Sequence, residues 1–237
     1  MLVKTKAIVI STLKFQEKSL IVKCFTQSHG LKSYFVRNAF SGKKNNQKIA
    51  YFQPLSILEI EAVHKNKGTL EHFKEIKTAI PFQTIHLDIV KSTMVLFLSE
   101  ILHHAIHEEE QNEDLFKYLE TALQWLDTHN ETSNFHLILM IEITKFLGFY
   151  PDTSDQDLPF FEMNEGVFSL FQAISCLSEH ESFLLKKLID LRLDSDQKVF
   201  HVIERQILLK ILIDYYSFHL HGFKKPKSLE ILKEVFS

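Results

Sequence analysis

"TKAIVISTLKFQEKSLIVKCFTQSHGLKSYFVR" (Thr5–Arg37) decides the fold class. It breaks into three short runs, "TKAIVIST" (Thr5–Thr12), "SLIVKCFT" (Ser19–Thr26) and "LKSYFVR" (Leu31–Arg37). Each is rich in β-branched or aromatic residues, and the turn signal "QSHG" closes the second at Gly30. Such runs, bounded by turn residues and without helical spacing, read as strands.

Beyond a polar loop at 41–47, "IAYFQPLSILEIEAV" (Ile49–Val63) reads as one long strand. Pro54 cannot donate to a ladder, so it implies an edge or a bulge. The imperfect alternation of Leu55, Ile57 and Ile60 implies the same bend. "HKNKG" is a turn, and "TLEHFKEIK" (Thr69–Lys77) completes a set of five strands. Five strands without an intervening helix predict a small closed barrel. The OB-fold is the best-known five-stranded candidate, and it commonly binds single-stranded nucleic acid.

After Pro81 the period becomes helical. Helices are predicted within 82–107, after the N-cap candidate Asn112, between Ser133 and Gly148, after the capping-box pair Ser178 and Glu181, over 195–222, and finally over 226–236. The acidic stretch 150–166, with Pro151 and Pro159, reads as a loop. The expected fold is therefore α+β and multidomain: an N-terminal five-stranded OB-fold β-barrel over residues 1–80, then an all-α helical domain over residues 81–237.

Charge follows the same division. The chain is −3 overall, but residues 1–80 carry 14 Lys+Arg against 5 Asp+Glu, and residues 81–237 carry 13 against 25. The net charges are thus +9 and −12, an asymmetry typical of a polyanion-binding part joined to a part with another task. Lys-rich protection of strand edges would produce a smaller excess.

The 21 phenylalanines and 45% apolar content support a sizeable core. Cys24 and Cys176 are far apart and form no CxxC pair, which fits a reduced, cytosolic compartment. The N-terminal residues lack the apolar run and cleavage site of a secretory signal, and no stretch approaches the about 18 apolar residues of a membrane span.

Chemistry-bearing motifs are sparse. GxxxxGK[ST], GxGxxG and GxSxG patterns do not occur, and six glycines are few for phosphate-cradling loops. No carboxylate pair is marked as catalytic, so the chain is not expected to be an enzyme. "HHAIH" places His103 and His107 four apart on one helix face, with Glu100 a turn earlier. Two such histidines can hold zinc only with further ligands from elsewhere, and no HExxH pattern supplies them. A metal-dependent hydrolase is therefore a minor alternative, and no cofactor or metal is expected.

The basic residues offer more. Lys32, Arg37, Lys43, Lys44 and Lys48 are interleaved with Tyr34, Phe35 and Phe40, and Lys4, Lys6, Lys14, Lys18 and Lys23 extend the charge over the first hairpin. Lysines and arginines neutralise phosphates whatever the base sequence, and exposed rings stack on unpaired bases. Tyr34 and Phe35 are adjacent in a strand and face opposite ways, so one of them belongs to the core. Lys4, Lys6, Lys14, Lys23, Lys32, Tyr34, Arg37, Phe40, Lys43, Lys44 and Lys48 are the candidate DNA-binding residues. A protein-binding adaptor with incidental charge is the competing reading.

The order of these features resembles the bacterial recombination-repair family RecO, in its Bacteroidetes-like branch. The resemblance rests on an apolar first strand, a loop glutamate (Glu17), a strand ending in Phe25–Thr26, the turn glycine Gly30, a basic loop, "FQPLSILEI" (Phe52–Ile60) and the tail "YYSFHLHGFKKPKSLEILKEVF". It implies a non-catalytic mediator, cytoplasmic and nucleoid-associated, that binds single- and double-stranded DNA and anneals complementary strands. It also implies partnership with RecR in helping RecA replace the single-stranded-DNA-binding protein SSB, whose C-terminal tail would dock on the helical domain. Lys186, Lys187, Arg192, Arg205 and Lys210 are the cations available for that tail. Many members of the family carry a four-cysteine zinc site in the helical domain. Here only Cys176 lies in that region, so packing of Phe160, Phe161 and Phe168 is expected to hold the segment.

Overall fold

The computed structural model describes residues 1–40, 49–65, 70–106, 111–195 and 199–236. Two compact units divide the chain, Met1–Thr128 and His129–Ser237.

In the first unit, strands β1 (Leu2–Phe15), β2 (Ser19–Thr26), β3 (Gly30–Val36), β4 (Ile57–Val63) and β5 (His72–Ile80) form one antiparallel sheet in the order β3-β2-β1-β4-β5. Alternation sets its faces. Ala7, Val9, Val22, Cys24 and Tyr34 turn inward onto Leu58 and Ile60, all at most 1% exposed.

Register shifts at Val9/Ser11 in β1 and at Ile57/Leu58 and Glu61/Ala62 in β4 curl the sheet. Among the described residues its two edges share one parallel bridge, Tyr34–Glu71. There the Phe35 N–H donates to the Glu71 carbonyl and the Glu71 N–H to the Ser33 carbonyl, both at 2.8 Å. The expected closed barrel is corrected accordingly: this is a curled five-stranded sheet, not a continuous closed ladder. Glu71 is the bridging residue, and β5 proper begins only at His72, paired to β4.

The long strand expected over Ile49–Val63 is also corrected. Ala50–Phe52 form a 3-10 turn, and β4 starts only at Ile57. Between them Pro54 offers no N–H, and the buried Leu55 takes a left-handed φ of 57°. Leu55 is nonetheless anchored, because its N–H donates to the Val9 carbonyl at 2.9 Å.

Helices α1 (Ile89–Ala105) and α2 (Glu113–Thr128) belong to the same unit. Asp88 caps α1 by accepting from the Lys91 N–H, and Asn112 accepts from the Leu115 N–H at the start of α2. Helix α2 packs Phe116 on Phe25 of β2, ring centroids 5.9 Å apart. The Asp127 carboxylate accepts from the N–H groups of Gln83, Thr84 and Ile85, pinning the segment that leaves β5.

The second unit contains α3 (Phe135–Leu147), the hairpin β6 (Phe160–Glu162) and β7 (Val167–Ser169), α4 (Glu179–Asp190), α5 (Val202–His219) and α6 (Leu229–Val235). Gly148 ends α3 at φ 81°, the left-handed cap its position predicts. Ser178 and Glu181 form the expected capping box. The hairpin lies partly in the segment read as loop. Phe161 and Phe168 are buried with centroids 5.0 Å apart, and the Phe161 N–H donates to Ser182 at 2.9 Å. The Tyr216 hydroxyl donates to the Met140 carbonyl at 2.7 Å, tying α5 to α3.

Candidate nucleic-acid interface

Directly paired residues of antiparallel strands share a face, so the ladder registers define rows across β1, β2 and β3. Ser11, Lys23 and Ser33 form one outward row, and Leu13, Ile21 and Phe35 form the next. Phe15 extends this face toward the β1–β2 turn, its ring set edge-on to Phe35 at 5.9 Å. Leu13 is 64% and Phe15 40% exposed. Arg37 lies over the Phe35 ring at 6.0 Å, and His72 approaches that ring edge-on at 6.3 Å. Lys14, in the opposite-facing row with Leu20 and Val36, lies 5.5 Å over the half-exposed Phe40, whose N–H reaches the Lys18 carbonyl. The result is an aromatic surface edged by cations.

Lys23 is half-buried within this surface. Among the described residues no acidic side chain forms an ion pair with it, and burial holds its ammonium below the usual lysine range. A cation in that state gains from any anion brought alongside, a phosphate included.

The predicted residues are distributed unevenly. Lys23 and Arg37 meet around the aromatic surface, whereas Lys14 and Phe40 lie together on the side of the Leu20–Val36 row. Lys4 and Lys6 face outward on β1 but already have acidic partners. Lys4 lies 3.4 Å from Glu61, which also accepts from Lys74 at 2.7 Å, and Lys6 donates to Glu120 at 2.7 Å. The Lys74 hydrogen bond, more than Lys4, holds the Glu61 carboxyl below its ordinary value. Lys32 pairs with Cys24 near the far end of β3 and is half-buried. Lys43, Lys44 and Lys48 lie outside the described residues, as does His107 of the histidine pair.

Tyr34 requires a correction. It is fully buried, stacked on Phe73 at 4.2 Å, with its hydroxyl 2.8 Å from Nε2 of His64. It cannot stack on a base; Phe35 is the outward ring of the pair.

Comparison with known proteins adds a second line. The family model for the N-terminal region of recombination protein O matches residues 1–82, and that for its C-terminal region matches residues 86–230. The chain belongs to the RecO family. It is 75% identical to the DNA repair protein RecO of Flavobacterium johnsoniae and 72% identical to that of Flavobacterium psychrophilum, in each case over all of both chains. The DNA repair protein RecO of Christiangramia forsetii is 41% identical, again over all of both chains.

In this RecO family member, Leu13, Phe15 and Ile21 are the surface residues that sequence reasoning missed, and Phe35, weighed there against Tyr34, is the outward ring. "SLIVKCFT" alternates clearly enough to turn Leu20, Val22 and Cys24 inward and Ile21 and Lys23 outward. "YFV" is apolar throughout, so its face depends on the pairing of Tyr34 with Val22. The Cys176 sulfur accepts from the Ala173 N–H at 3.3 Å. Among the described residues no group of three or more His, Cys, Asp or Glu side chains could hold a metal, and no helix is long and apolar enough to cross a membrane.

Proposed function

We propose that this RecO family chain is a non-catalytic DNA-repair and recombination mediator that binds single- and double-stranded DNA through its basic N-terminal region and anneals complementary strands. The carrying observation is the outward cluster of Phe15, Phe35, Arg37 and Lys23 on strands β1–β3 and the turn after β3. Rings on that face would stack on unpaired bases while the cations screen repulsion between two approaching backbones. Lys43, Lys44 and Lys48 would extend the phosphate track, and Lys32, on the side of Cys24, and Lys4 and Lys6, whose charges are already paired, would contribute least.

In this reading the acidic second unit recruits proteins. RecR and the C-terminal tail of SSB are the partners, and RecA is loaded onto the strand that SSB vacates. The exposed Leu170, Phe171 and Ile174, which follow β7, form an apolar surface of the kind that docks proteins. The protein would act in the cytoplasm on nucleoid DNA. Complementary strands coated with the cognate SSB provide the test. The chain should speed their annealing without hydrolysing any nucleotide, and an unchanged rate would overturn the reading.

A further inference from the structure

The β1–β4 ladder ends at Ile8–Ile57, Leu55 and Ser56 hydrogen-bond to Val9, and the chain leaves β1 at Pro54. A cleft of about 200 Å³ opens there, between residues 9–12 of β1 and helix α1. Ile10, Phe52 and Leu96 give it apolar walls, while Ser11, Glu100 and His103 supply polar atoms. The Ser11 hydroxyl lies 3.2 Å from Nδ1 of His103.

We propose that this cleft receives a single unstacked nucleobase bearing an exocyclic amino group, from a strand lying on the β1–β3 surface. The inference rests on the DNA-binding reading above and deepens it. Size is the first argument: the cleft is smaller than the roughly 300–1,000 Å³ of sites for drug-sized ligands, so it suits one ring system. Charge is the second. The Glu100 carboxylate accepts hydrogen bonds from an amino group, as carboxylates do from cytosine N4. Continuity is the third. Ser11 lines the cleft and also begins the row Ser11–Lys23–Ser33, beside the row that holds Phe35. Rows two residues apart along a strand are separated by about 7 Å, a short step for an extended nucleic-acid backbone. The bulge at Val9/Ser11 sits at this boundary, as bulges that redirect side chains beside binding sites do.

The test compares oligo-dC with oligo-dT of equal length, because the two bases share a ring size and differ in the amino group. The full chain should prefer oligo-dC by about ten-fold, the lower range of one well-held base contact. Glu100→Gln, a near-isosteric change, should abolish most of that preference while oligo-dT binding persists. Ser11→Phe should do the same by filling the mouth, and if it disturbs folding the Glu100→Gln result decides alone. Equal binding of the two oligomers, or a dC preference that survives Glu100→Gln, would overturn the base site and leave the DNA-binding function standing. Failure of the unsubstituted chain to bind either oligomer would remove both.

Discussion

The Arg37 guanidinium lies 6.0 Å from the centroid of the Phe35 ring, on the face that strands β1–β3 turn away from the core. A cation over a ring edged by solvent holds the ring in place and leaves one side for stacking. Phe35→Ala should therefore weaken single-stranded oligonucleotide binding by about 1–3 kcal/mol. Its melting temperature should change little, because the ring is only half-buried. Fluorescence anisotropy and a thermal melt separate the two effects.

Tyr34, the neighbouring residue, should behave in the opposite way. Tyr34→Phe removes the hydroxyl that lies 2.8 Å from His64 and leaves a buried imidazole nitrogen without that partner. The expected loss is about 1–3 kcal/mol of unfolding free energy in urea. Oligonucleotide affinity, measured where the protein stays folded, should be unchanged.

Salt dependence should distinguish paired from unpaired lysines. Lys23→Ala should reduce the magnitude of the salt slope for single-stranded DNA by about 0.7 if Lys23 neutralises one phosphate. Lys6→Ala should leave the slope nearly unchanged, because Lys6 already donates to Glu120. Paired binding isotherms from low to moderate salt measure both. Equal slopes for the two variants would show that the ion pair does not set the contribution of Lys6.

Asp127 links acidity to the stability of the first unit. Burial raises its carboxyl, but the N–H groups of Gln83, Thr84 and Ile85 and the Thr84 hydroxyl outweigh burial and hold it below the ordinary value. A depressed carboxyl contributes stability above its unfolded pKa of about 3.9 and loses it as pH falls through the folded value. Asp127→Ala should cost about 1–2 kcal/mol at neutral pH, in the range of a lost helix-cap acceptor. It should also flatten the loss of stability below about pH 4. Urea midpoints across that window provide the check.

Much of this architecture is legible in the residues themselves. Alternation in "SLIVKCFT" specifies β2 to the residue, and Asn112, Gly148 and the Ser178–Glu181 pair mark helix ends where local hydrogen bonding alone decides them. The strand expected over Ile49–Val63 fails at Pro54 and Leu55, where a long-range hydrogen bond to Val9 supports a backbone state that local propensity disfavours. Sheet closure depends on how far the curled edges travel, which no local pattern encodes. The candidate site divides in the same way. Charge density singles out the first third of the chain, but charge counts cannot show that Lys4 and Lys6 have acidic partners. The choice between Tyr34 and Phe35 required the cross-strand register.

Titration of a single-stranded oligonucleotide over a salt series, with the unsubstituted chain and with a Phe35→Ala, Arg37→Ala double variant, tests the central claim most directly. The unsubstituted chain should bind in dilute buffer, with log affinity falling linearly against log salt, and the double variant should bind more weakly with a shallower slope. Indifference of the unsubstituted chain to the oligonucleotide, or identical curves for the two proteins, would contradict a nucleic-acid surface on β1–β3.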